Sequence, residues 1–564
     1  MNTELPGVLA IFLISLLLAI PLGRYIARVY LGERSLLDPV MGPVERLFFR
    51  LSRIDSSREM TWQEHLKALL SINFVWFLLT MFILMNMAWL PLNPDDNPSM
   101  TADLAFNTTI SFVVNCNLQH YSGESGMSYL GQLFLMFLHF VSAATGMAAA
   151  VVVFDSLRER QTTGLGNFWN YFVKSTTRIL MPIAIIGAII FAFDGMPMTF
   201  EGKDTMVNLE GDTVQVSRGP VATFIAIKHL GTNGGGFYGA NSAHPLENTS
   251  YLTNAVELIA QFIIPLAMIF GLGFFLRRRK FALMIFGVMT VGFLLLVIPN
   301  IVFEMQGNPA IASMGVDQSL GAMEGKEVRN GVVSSAYWSI LTTVISTGSV
   351  NAMHDSTMPL SGMNELLAMM VNAFYGGCGV GILNFYIFVI IAVFISGLMV
   401  GRTPEFMGKK VEAHEVKIAM LTALLSPLLI MGGTAMAAWT IVQDPGLPWL
   451  NNPGFHGFSE MLYEMTSANA NNGSGFEGLG DNNPFWNIST GIVLILGRFI
   501  PIIGPVAIAG LLASKKYVPE SAGTLKTDTL TFGIMVFSVI VIITALSYFP
   551  ALALGPLAEY FSMN

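Results

Sequence analysis

Four clusters of small, neutral, oxygen-bearing residues recur along this 564-residue chain. They hold Asn115 and Asn117; Thr232, Asn233 and Gly234; Ser346, Thr347 and Gly348; and Asn471, Asn472, Gly473 and Ser474. Hydroxyls, amides and the carbonyls of glycine-rich backbone can replace the hydration shell of a cation. No carboxylate lies within the four turns, whereas a calcium or magnesium site calls for them. Neutral oxygens suit a dehydrated monovalent cation such as potassium. Any one turn reads equally well as a flexible loop; four at equivalent places do not.

Each cluster closes a weakly apolar stretch: 103-DLAFNTTISFVVNCNLQ, 221-VATFIAIKHLGTNGGG, 334-SSAYWSILTTVISTGSV and 458-FSEMLYEMTSANANNGS. A helix needs about 20 apolar residues to cross a bilayer, so these shorter stretches read as re-entrant. With Asn117, Gly234, Gly348 and Gly473 as marks, the spacings are 117, 114 and 125 residues by subtraction. A unit of helix, short re-entrant helix, polar turn and helix therefore runs four times. Irregular backbone is not tolerated against lipid, where each unpaired amide or carbonyl costs several kcal/mol. Four turns satisfy that condition together by meeting around one axis.

The elements that must position these turns are membrane helices. The chain is 53% hydrophobic and 12% charged, with a mean hydropathy of +0.60; soluble domains carry about 25% charged residues. Apolar runs of spanning length fall near 6–29, 64–90, 128–153, 170–196, 252–277, 281–303, 377–401, 416–442, 485–512 and 527–551. The first reads as a retained span, lacking a basic leader and a cleavage site. The expected fold class is an all-α integral membrane protein of about ten transmembrane helices. Four helix–pore loop–helix repeats then surround a pseudo-four-fold ion pathway. The expected units are 1–63, 64–160 (repeat 1), 161–280 (repeat 2), 281–410 (repeat 3), 411–516 (repeat 4) and 517–564.

Alternate loops carry the basic residues, among them Arg24, Arg28, Arg46, Arg158, Arg277 to Lys280, Arg402, Lys409, Lys410, Lys515 and Lys516. The other loops hold only Lys203, Arg218, Lys228, Lys326 and Arg329. By the positive-inside rule the basic loops are cytoplasmic and both termini extracytoplasmic. The run at 277–280 reads as a tight hairpin obeying that rule, ahead of a lipid-headgroup site. The two cysteines, Cys116 and Cys378, are far apart and fall in no zinc or disulfide pattern.

The segments SFVVNCNLQ, KHLGTNGGGFYGANSAHPLEN, TTVISTGSVNAMHD and SANANNGSGFEGL resemble the four filter loops of a potassium-transporting ATPase family, the potassium-binding subunits of bacterial Kdp complexes. VGRTPEFMGKK and GRFIPIIGP match as well, and the resemblance covers essentially the whole chain. It implies a potassium filter at Asn115-Cys116-Asn117, Thr232-Asn233-Gly234, Ser346-Thr347-Gly348 and Asn471-Asn472-Gly473, with Gln119 and Asn241 in its surroundings. It also implies K+ as the transported ion, with no organic cofactor, and a bacterial inner-membrane setting. Membrane lipid apart, the implied partners belong to the Kdp complex: a catalytic P-type ATPase subunit, one single-span accessory subunit, plus a small single-span peptide. No nucleic-acid partner is expected. The first turn departs from the pattern: Asn117 stands where the others have glycine, and Cys116 is read as a small neutral filler.

Arg498 sits in the middle of the ninth span. Two readings stand open: a guanidinium near the ion path that limits leakage or holds a helix, and a salt bridge that fixes packing. The run 376-GGCGVG, with Gly377, reads either as a close helix contact or, by the resemblance, as a mobile stretch that gates the path. His120, His244 and His354 read as loop-capping side chains. Glu124, Asp355, Glu477 and Asp481 either draw cations to the mouth or form a solvated loop face. With no GxxxxGK[ST] loop and no DKTG sequence, ATP hydrolysis is expected in a partner protein, and this chain is not expected to be an enzyme. The alternative is a self-contained potassium channel or transporter of the Trk, Ktr and HKT kind.

Overall fold

The computed structural model describes residues 3–399, 401, 403–519 and 526–563. Arg402, one of the basic-loop residues, lies outside the described residues. Among the described residues, ten helices are long and apolar enough to cross a membrane. The first, Glu4–Tyr30, packs along the fifth and stands before the repeating units. Four outer–inner pairs follow: Trp62–Leu84 with Tyr129–Arg158, Phe168–Phe193 with Tyr251–Phe275, Arg279–Gln306 with Val380–Met399, and Ala413–Gln443 with Pro484–Ser514. The tenth is Leu530–Leu552. The sequence-derived ends differ from these by a few residues, because terminal turns are polar and capped.

Within each pair a short helix re-enters from the loop: Ala102–Val113, Val221–Leu230, Val332–Val344 and Phe455–Ala470. Burial separates the two members of the first, second and fourth pairs. The most apolar windows of the third and fifth spans are 89% and 83% buried, against 28% and 22% for their outer mates. In the first, second and fourth pairs the outer helix thus carries the lipid-facing apolar residues and the inner one encloses the axis, whereas the two members of the third pair are buried about equally. Hydropathy alone does not draw that distinction, since both environments accept apolar side chains. Three of the inner helices start from polar caps: Ser128 accepts the Gly131 N–H, Ser250 the Leu252 and Thr253 N–H groups, and Asn483 the Phe485 and Trp486 N–H groups.

The third unit departs from the others. Its inner helix, expected over 377–401, begins earlier as Pro359–Val371, breaks over 372–379, and resumes as Val380–Met399. Asn372, Tyr375, Gly376 and Gly379 all have left-handed φ there, at 43°, 60°, 64° and 78°. The first piece escaped hydropathy because it carries Ser361, Asn364 and Glu365, all buried within protein and away from lipid.

Further elements lie outside the spans, an amphipathic helix and a strand hairpin among them. The amphipathic helix Asp38–Ser52 is tethered by Arg178, which pairs with Asp38 and Glu45. Strands Asp204–Val207 and Thr213–Val216 form an antiparallel hairpin.

Candidate ion-binding site

The C-terminal end of each pore helix runs into one of the four polar turns, and the turns share a local geometry. Their first residues, Asn115, Thr232, Ser346 and Asn471, all adopt left-handed φ of 63°, 51°, 50° and 51°. None is glycine, so each position carries strain of the kind that clusters at functional sites. The N–H of each second residue then reaches back to a pore-helix carbonyl. Cys116 donates to Ser111 (2.9 Å), Asn233 to Lys228 (3.0 Å), Thr347 to Thr342 (2.9 Å) and Asn472 to Ser467 (2.9 Å). In every case the acceptor is five residues upstream. This capping pattern ends the helix and turns the next carbonyls out of the helical ladder.

At the third positions the expected odd residue, Asn117, behaves as its counterparts do. Its φ is 70°, beside 83° at Gly348 and 109° at Gly473, and Asn tolerates that region. Gly234 differs: its φ is not left-handed, and its need for glycine is one of space. A Cβ on Gly234 would lie 2.9 Å from Cys116 O, 2.9 Å from Thr347 O and 3.1 Å from Asn472 O. Those are the middle carbonyls of the other three turns. All four turns therefore meet at one point, lined by backbone oxygen. The four pore-helix C-termini, the negative ends of their dipoles, run into the turns that line it.

The surroundings hold this arrangement. Asn115 Nδ2 donates to Gly231 O (3.0 Å) and Thr232 O (3.1 Å), tying the first turn to the second. Gln119 brackets the same pair, donating to Gly236 O (3.0 Å) and accepting the Gly236 N–H (2.8 Å). Asn241 Nδ2 donates to Gly234 O at 2.6 Å. Behind Asn241 lies a residue that sequence reasoning missed. Lys228, on the second pore helix and fully buried, donates to Asn241 Oδ1 and pairs with the buried Glu247. Glu247 in turn accepts the Phe237 N–H (2.9 Å) and Tyr238 N–H (3.2 Å). The signal was a lysine inside the apolar stretch VATFIAIKHL, which reads by sequence only as a loop charge.

Below the second and third turns lies the break in the inner helix of the third unit. A Cβ on Gly377 would be 3.4 Å from Thr232 Oγ1 and 3.6 Å from Ile345 O. The Cys378 N–H donates to Thr232 Oγ1 (3.0 Å), and Ser346 Oγ donates to Asn372 Oδ1 (2.8 Å). Arg498 is 5% exposed, close to the same break: a Cβ on Gly146 would touch both Cys378 O (2.5 Å) and Arg498 Nη2 (3.2 Å). No salt bridge holds Arg498 among the described residues, and its Nη2 has no hydrogen-bond partner there. The packing salt bridge is thereby corrected: the ninth span brings Arg498 close to Gly146 and the helix break, and among the described residues no acidic side chain forms an ion pair with it.

Of the three histidines, His244 caps its own loop, accepting the Leu246 N–H at 3.1 Å. His120 and His354 instead cross to the fourth pore helix, meeting Glu464 (3.0 Å) and Tyr463 OH (2.8 Å). Burial alone would lower the His120 imidazole, but the Asp481 and Glu464 carboxylates outweigh it and hold it at about 9. Two of the outer acids serve the loops themselves: Glu124 accepts the Gly239 N–H (2.7 Å) and Glu477 the Asp355 N–H (3.1 Å).

Among the described residues, ten helices of membrane-spanning character, four re-entrant pore helices and turns converging on backbone oxygen define a membrane protein of the pore-loop class. The family model described as "Potassium-transporting ATPase A subunit" matches residues 9–561, and the chain belongs to that family. The potassium-transporting ATPase potassium-binding subunit of Flavobacterium johnsoniae is 69% identical over 573 residues, covering all of both chains. Its counterparts in Bacteroides thetaiotaomicron and Geobacillus kaustophilus are 58% and 45% identical, covering 100% and 98% of each chain. Among solved structures, the potassium transporter TrkH from Vibrio parahaemolyticus is similar at 15% identity and a TM-score of 0.47, covering 87% of this chain and 96% of that one.

Proposed function

We propose that this chain is the potassium-binding and translocating subunit of an ATP-driven import complex, with the four turns as its selectivity filter. The observation that carries the reading is the space beside Gly234, bounded by Cys116, Thr347 and Asn472 carbonyls from the other three turns. Neutral oxygens, with no carboxylate in the turns, favour a monovalent cation over calcium or magnesium. The filter comprises Asn115, Cys116, Asn117, Thr232, Asn233, Gly234, Ser346, Thr347, Gly348, Asn471, Asn472 and Gly473. Gln119 and Asn241 brace it. Relatives at 45–69% identity that are named as the potassium-binding subunit support the same ion.

The chain lies in the bacterial inner membrane, and the distribution of basic loops supports both termini being extracytoplasmic. Potassium enters from outside, passes the break around Gly377, which gates the path, and meets Arg498, whose charge opposes onward leakage. A cavity between the break and the last spans, lined by Asn372, Asn384, Asn469 and Thr544, offers polar groups for a sideways exit. A catalytic P-type subunit receives the ion and hydrolyses ATP. One single-span accessory subunit, with a small single-span peptide, completes the assembly.

The test is potassium uptake into proteoliposomes by the chain alone and by the co-purified complex. The reading expects uptake only with partner and ATP. Uptake by the chain alone, driven by membrane potential, would establish the self-contained transporter instead.

A further inference from the structure

The outer ends of the third and fourth units hold a cluster that the filter does not use. Asp355, in the turn after the third filter loop, faces His456 and Glu460 at the start of the fourth pore helix. One ligand atom from each of the three lies within 4.8 Å of the others. His456 Nε2 is 2.9 Å from Asp355 Oδ1, and its Nδ1 is 2.8 Å from Glu559 Oε1 near the C-terminus. Glu460 is fully buried, and its Oε2 has no hydrogen-bond partner among the described residues. Its Oε1 accepts the Asn452 N–H at 3.2 Å. A Cβ on Gly478 would stand 2.6 Å from Asp355 Oδ2 and 2.8 Å from Glu460 Oε1, so both carboxylates turn to one spot. No lysine or arginine forms an ion pair with either of them among the described residues. Among the described residues Asp355 pairs only with the His456 imidazole, and the buried Glu460 carboxyl must be neutralised either by a proton or by a bound cation.

We propose that Asp355, His456 and Glu460 form a binding site for a divalent transition-metal ion of the zinc type, separate from the potassium filter. One imidazole nitrogen and two carboxylate oxygens form a mixed donor set suited to that ion, with water filling the fourth position. Glu559 supplies the outer support: accepting the Nδ1–H, it fixes the tautomer that leaves Nε2 free to coordinate. His456 is the accessible ligand, its side chain being 16% exposed, while Asp355 and Glu460 form the buried floor. The bound ion ties the turn behind the third filter loop to the fourth pore helix.

The test uses the full-length chain, stripped with EDTA and titrated with Zn2+ and with Co2+ as a coloured probe. One ion per chain by elemental analysis is expected, with the visible absorption of a low-symmetry Co2+ site. His456→Gln and Glu460→Gln should each abolish that stoichiometric binding. Glu559→Gln should weaken it by about 10- to 100-fold, and His456→Cys, which keeps a ligand, should retain it with a shifted spectrum. Zinc should also raise the Tm of the wild-type chain and leave that of Glu460→Gln unchanged. Absence of stoichiometric binding by the wild type would overturn the assignment. So would binding unchanged in both His456→Gln and Glu460→Gln, or binding lost in His120→Gln, which belongs to the neighbouring His120–Glu464–Asp481 group.

Discussion

At the scale of single residues, the proposed site depends on what stands beside and behind the carbonyls of the four turns. Lys228 and Glu247 form a buried ion pair, and such pairs are most costly when one partner is removed. Lys228→Met strands Glu247 and frees Asn241, so a loss of about 3–5 kcal/mol in stability is expected. The half-saturating potassium concentration of the complex should rise, because Asn241 no longer holds Gly234 O. Thermal unfolding and potassium-dependent ATPase assays read the two effects separately; a stable variant with unchanged potassium dependence would remove Lys228 from the site. His120 gives a pH signature. Its folded value of about 9 lies above the ordinary 6.5. Its contribution is therefore complete below about pH 6.5 and disappears as pH rises through about 9. The Tm of the wild type should fall across that window, and the fall should be shallower in His120→Gln.

At the scale of elements, the broken inner helix of the third unit is the part that distinguishes one repeat from the other three. Asn372 joins it to the third polar turn and to the end of the fourth pore helix, accepting from Ser346 Oγ at 2.8 Å and donating to Ala470 O at 3.3 Å. Asn372→Ala removes both bonds, worth about 1–3 kcal/mol together. It should weaken potassium discrimination against sodium in uptake assays while the complex still assembles; unaltered discrimination would separate the break from the filter. The spans and re-entrant helices were legible in the sequence because a bilayer demands apolar runs of set length. The break was only half legible. GGCGVG marked an irregular stretch, but the preceding helix, with Asn364 and Glu365 buried in protein, carries too many polar groups to register by hydropathy. The strain at Thr232 and Ser346 was not legible either, because nothing in a threonine or serine announces a left-handed φ.

At the scale of the molecule, the four repeats, their outer–inner order and the convergence of the turns describe one axis offset from exact symmetry. The offset has a physical basis in the second turn, where Gly234 differs in backbone from its three counterparts, and in the third unit, where the inner helix is interrupted. The spacing of the turns was visible in the sequence, but the meeting of Cys116, Thr347 and Asn472 carbonyls beside Gly234 needed the fold. That meeting point is the claim on which the functional reading rests. Its direct test is the potassium-dependent ATPase activity of the co-purified complex carrying Gly234→Asp, measured over a range of potassium concentrations. The side chain would enter the space between the three carbonyls, so the half-saturating potassium concentration should rise by well over tenfold, with selectivity over other cations reduced. A potassium dependence indistinguishable from the wild type, in a complex assembled to the same extent, would contradict the account.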